Sequence, residues 1–123
     1  MSFTAYTRAR AFAEMPRASE ARLLSQITGA LISARDADLR GAALIAILHR
    51  NREAWGIFTA TCATSGNGLP DALRAQIISL GLWVDRHTSL VMRGIATLDD
   101  LIAVNRAIIE GLSSSAPAAQ AAA

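Results

Sequence analysis

The sequence predicts an all-α fold, an up-and-down antiparallel bundle of four main helices with a short N-terminal helix and a disordered C-terminal tail. Three observations carry that expectation. Apolar residues recur at three- and four-residue spacing through most of the chain. Alanine, the strongest helix former, supplies 26 of the 123 residues, whereas valine, typical of strands, supplies only three. Between the periodic segments stand short breaks, and short links favour antiparallel neighbours.

The first segment, about Phe3–Ala13, is a weak helix, with Phe3, Tyr6 and Ala13 on one side and Phe12 on another. Pro16 is expected to interrupt or restart it, because the residue before a proline avoids the helical region. The second helix, about Arg17–Ala37, is cleanly amphipathic: Leu23, Leu24, Ile27, Ala30, Leu31 and Ala34 share a face. A short connection follows, in which Asp38 is placed to N-cap the third helix, about Leu39–Ala63. That helix buries Leu44, Ile47, Leu48, Asn51, Trp55, Phe58 and Cys62. Gly66 and Gly68 then supply the positive φ of a turn, Pro70 suits a first helical turn, and Asp71 puts negative charge at the positive end of the fourth helix. The fourth helix reaches Arg93 and ends at Gly94. Thr97 and Asp100 have the spacing of a capping box before a fifth helix, about Leu98–Gly111, which buries Leu98, Leu101, Ile102, Asn105, Ile108, Ile109 and Leu112. The domain is therefore expected to span 1–112, with 113–123 a disordered tail of Ala, Ser, Pro and Gln.

Composition narrows the function classes. All twelve basic residues are arginine, against ten acids, for a net charge of +2. Residues 1–40 carry six arginines and four acids, and residues 41–123 six of each, so neither half is a polyelectrolyte suited to nucleic acid. A single cysteine, Cys62, excludes an internal disulfide. No run of about 18 apolar residues is present, so no membrane insertion is expected, and the predicted location is the cytoplasm. Neither a nucleophile motif nor a phosphate loop occurs, and Gly66-Asn67-Gly68 lacks the lysine of one. His49 and His87 have no partners at ligand spacing, so no catalytic residue, cofactor or metal site is expected. Arg8, Arg10, Arg17 and Arg22 read as a solvated surface facing Glu14 and Glu20.

Two features call for a role. The fourth helix carries one apolar face of Leu73, Ile77, Leu80, Val84, His87 and Val91, and Ile78 and Leu82 lie on the opposite side. Trp83 runs along an edge and Met92 lies near the second side. Ile78, Leu82, Trp83 and Met92 are the candidate partner-binding residues, although a central helix with two core faces would show the same pattern. Asn51 and Asn105 each interrupt an apolar stripe. Buried amides need partners, so they are expected to bond to each other, to a tryptophan N–H or to backbone, and to set the register of a polar core.

Pro16-Arg17-Ala18-x-Glu20, Leu23-Leu24, Thr28-Gly29-Ala30-Leu31, Asn51-Arg52-x-x-Trp55 and the block from Gly66-Asn67-Gly68-Leu69-Pro70 through Val84 resemble the flagellar biosynthesis regulator FlaF family of alphaproteobacteria. The likeness runs from about Tyr6 to Leu112. It implies a non-enzymatic cytoplasmic protein that acts as a secretion chaperone for flagellin, binding a terminal segment and supporting filament assembly. It implies work opposite FlbT, a repressor of flagellin translation, and contact with the export apparatus. Two other readings stay open: an RNA-binding regulator of flagellin messenger, and an adaptor that binds FlbT but not flagellin. A homodimer is also open.

Overall fold

The structure, a computed structural model, describes the backbone of residues 3–63, 68 and 70–122, and the side chains of residues 19, 21–63, 68 and 70–111. Four helices are found among the described residues: α1 (Phe3–Asp36), α2 (Gly41–Ala63), α3 (Asp71–Met92) and α4 (Asp99–Ala122). Each packs on the next, and α4 returns to α1, so the four close into a ring of antiparallel neighbours. The α3–α4 seam is the thinnest of the four. The all-α bundle expected from periodicity is the fold observed.

The boundaries differ from the sequence reading at both ends. The backbone is helical straight through Pro16, so the short first helix and the second are one element. Proline removes one backbone donor and crowds the preceding turn. Here Ala11, Ala13 and Glu14 precede it and Arg17, Ala18 and Glu20 follow, all residues that favour helix. At the other end the backbone of α4 runs to Ala122, past Ser113, and the side chains of 112–123 lie outside the described residues.

The helix ends explain how the chain turns. At the end of α1 the N–H of Asp38 bonds Arg35 O at 3.1 Å and that of Leu39 bonds Ala34 O at 2.8 Å. These are the paired bonds of a Schellman motif, with Asp38 at φ +50° in the left-handed position that usually holds glycine. Asp38 therefore terminates α1 and does not N-cap α2. The end of α3 repeats the motif: Gly94, at φ +74°, bonds Val91 O at 3.0 Å, and Ile95 bonds Leu90 O at 2.9 Å. At the start of α4 the first helical residue is Asp99, one position later than a Thr97–Asp100 capping box requires, and the Thr97 hydroxyl meets Asp99 Oδ2 at 3.5 Å. Gly68 has the expected positive φ, +85°; Gly66 and Asn67 lie outside the described residues. Pro70 stands one position before the first helical residue of α3, as its N-cap.

Two arginines tie helix ends across the bundle. Arg74 of α3 donates from Nε to Cys62 O at 2.8 Å, satisfying a carbonyl of the last turn of α2, which has no basic residue of its own. Arg35, in the last turn of α1, bonds Asp36 at 3.1 Å and Asp99 of α4 at 3.1 Å. The bond to Asp36 and then that to Asp99 hold the guanidinium pKa above its ordinary value.

The core follows the predicted stripes. Leu24, Ile27, Leu31 and Ala34 come from α1, Leu48, Ala54, Trp55, Phe58 and Cys62 from α2, Ile77, Val84 and Val91 from α3, and Leu101, Ile102 and Ile108 from α4, with Leu98 just before it. Leu23 departs from its stripe: it is 39% exposed and faces outward beside α2.

Candidate functional site

In the middle of the bundle lies a buried polar layer. Asn51 and Asn105 are both fully buried, and Asn105 Nδ2 donates to Asn51 Oδ1 at 2.8 Å and to Thr28 Oγ1 at 3.0 Å. Trp55 Nε1 donates to Asn105 Oδ1 at 2.8 Å. The Thr28 hydroxyl in turn donates to Leu24 O at 2.6 Å. Four side chains from α1, α2 and α4 are thus joined in one network. Thr88 of α3 is also fully buried, its hydroxyl bonded back to Val84 O at 2.6 Å. Arg52, next to Asn51 in sequence, bonds Ser89, next to Thr88, across the α2–α3 seam. Asn51 Nδ2 is the one member of the layer without a hydrogen-bond partner.

On the outer side of the α2–α3 seam lies a groove of about 230 Å³. The two helices approach closely here because Gly81 has no side chain: a Cβ built on it would overlap Thr59 Cγ2. The Thr59 methyl is held in that direction because its hydroxyl bonds Trp55 O at 2.9 Å and Gly56 O at 3.1 Å. Gly56 and Thr59 from α2 and Ile78, Gly81 and Leu82 from α3 give the groove an apolar wall. Leu82 is 64% exposed and Ile78 half-buried. Arg52 and Asp85 form the polar end. Arg52 Nη2 donates to Asp85 O at 2.8 Å and to Ser89 Oγ at 2.6 Å, and Nε lies 3.0 Å from Asp85 Oδ1. That last approach lacks hydrogen-bond alignment, so it acts as a Coulomb attraction only.

Of the four residues singled out on α3, the structure brings Ile78 and Leu82 together in this groove. Trp83 is on the other side of α3, stacked on His87 with ring centroids 4.5 Å apart and planes at 16°. His87 is buried, with Nε2 at 3.4 Å from Thr97 O and 3.9 Å from Asp100 Oδ2. Met92 is half-buried against the core in the last turn of α3. Gly56, Thr59 and Gly81 were not picked out from the sequence. Small residues carry no chemical signature, and only the pairing of helices reveals that they open a groove.

Among the described residues, no group of three or more His, Cys, Asp or Glu could hold a metal ion. No described helix is long and apolar enough to cross a membrane.

Comparison with curated proteins and with solved structures gave no match. A family model described as Flagellar protein FlaF matches residues 2–112, nearly the whole chain, and the chain therefore belongs to the flagellar protein FlaF family.

Proposed function

We propose that this flagellar protein binds flagellin as a cytoplasmic secretion chaperone, acting with FlbT in the control of flagellin synthesis and export. The observation that supports this reading is the α2–α3 groove, with Leu82 exposed on its rim and Ile78 in its wall. An amphipathic helix from a flagellin terminus would lay an apolar side chain into it and meet Arg52 and Asp85 with its polar flank. Covering such helices would block self-assembly of flagellin before export. Each apolar side chain covered contributes about 1.5–3 kcal/mol.

The test is a pull-down with purified flagellin, FlbT and flagellin messenger at two salt concentrations. The chaperone reading expects flagellin capture that changes little with salt, whereas messenger binding would fall steeply as salt rises. Leu82→Asp, at an exposed position, is expected to lower flagellin affinity at least about tenfold while the far-ultraviolet circular dichroism stays unchanged. Absence of flagellin binding at both salt concentrations would remove the proposal.

A further inference from the structure

The outward face of α2 carries a second pattern that the groove does not use. Ala43, Ala46, Arg50, Glu53, Ile57 and Ala60 follow one another at spacings of three and four, and all six are exposed. This is the spacing of a helix-pairing seam. Ile57 is 55% exposed, an unusual position for isoleucine in the middle of a long helix, and Leu23 of α1 lies beside it in a shallow groove of about 170 Å³. Arg50 has no ion pair among the described residues, and Glu53 reaches only His49, at 3.9 Å.

We propose that this face pairs with a second copy of the chain, α2 against α2 in antiparallel orientation about a two-fold axis. The argument is self-complementarity. A two-fold axis passing between residues 51 and 52 sets Arg50 opposite the partner's Glu53, Ala46 opposite the partner's Ile57, and Ala43 opposite the partner's Ala60. Opposite charges meet, the bulky residue meets a small one, and the two alanines allow close approach of the backbones. Every pairing occurs twice, as an isologous interface requires. Antiparallel helices also set each positive helix end beside a negative one. The seam lies on the α1 side of α2, and the Gly56–Gly81 groove on the α3 side, so the interface is separate from the flagellin-binding proposal and can be tested without flagellin.

The experiment is light scattering coupled to gel filtration of the full chain over a dilution series, with circular dichroism as the check on folding. The wild-type chain is expected to elute with the mass of two chains at the concentrated end. Ile57→Arg, at an exposed site, shifts it to the mass of one chain at unchanged helicity. Arg50→Glu alone places like charges opposite each other at two symmetric sites and weakens association by at least about tenfold. Combining Arg50→Glu with Glu53→Arg restores opposite charges in the same register and recovers the two-chain mass. A one-chain mass for the wild type at every concentration would overturn the proposal. So would a two-chain mass that ignores Ile57→Arg, or a double variant that dissociates as readily as Arg50→Glu.

Discussion

Trp55 has one polar hydrogen and no polar acceptor, and this asymmetry orders the centre of the molecule. Its indole N–H requires an acceptor, so Asn105 must present Oδ1 to it and turn Nδ2 the other way. Both hydrogens of that Nδ2 are then spent, on Thr28 and Asn51, and Asn51 must present its own oxygen. The Asn51 amide nitrogen is left unpaired as the last link of the chain. Asn105 and Asn51 are therefore unequal despite their similar sequence settings. Asn105→Leu strands the Trp55 N–H, the Asn51 oxygen and one Thr28 contact, and is expected to cost about 2–4 kcal/mol. Asn51→Leu gives up one bond and also removes the unpaired nitrogen, with a cost of about 1 kcal/mol. Urea denaturation of the two variants measures both, and equal losses would contradict the hierarchy. In the sequence both asparagines are visible as amides within apolar stripes. Which one is the hub is not visible there, because it depends on the reach of Trp55, which helix periodicity does not specify.

At the scale of helices, the spacing of α2 and α3 depends on a missing atom. Gly81→Ala drives a Cβ into the Thr59 methyl, whose rotamer is held by two hydrogen bonds, and the helices must part. Overpacking of this kind costs about 1–3 kcal/mol. Thr59→Ser removes the methyl but keeps the hydroxyl, so in the Gly81→Ala background it is expected to return most of the loss, measured as coupling in a double-mutant cycle. The elements themselves were largely legible. Buried stripes on all four helices follow the three- and four-residue rhythm, and Gly94 ends α3 as read. Among the local features that differ from the sequence reading, three rest on a signal with two meanings. Asp38 favours an N-cap and also tolerates the left-handed backbone, and here it does the second. Pro16 breaks most helices but is outvoted by strong helix formers on both flanks. Leu23 continues an apolar stripe in sequence yet sits beyond the width that α2 and α4 can cover.

For the molecule as a whole, the ring of four helices means that no helix can leave without exposing two seams. Cys62 offers a direct reading of this cooperativity, since it is the sequence's single cysteine and is buried in the last turn of α2. Its labelling by a thiol reagent is expected to follow the global unfolding equilibrium, slowing with every stabilising condition in step with the denaturation midpoint. Labelling much faster than global unfolding predicts would reveal that the α2 end opens on its own. The partners of the polar layer also set an order of events in the cell. Thr28 and Asn105 are 77 residues apart in the chain. During synthesis the Trp55 indole and the Thr28 hydroxyl emerge long before the amide that joins them, and a nascent chain stopped before Asp99 holds an unfinished ring with an open apolar wall. Completion therefore waits for α4 to leave the ribosome, and until then the half-built bundle is itself a chain in need of shelter.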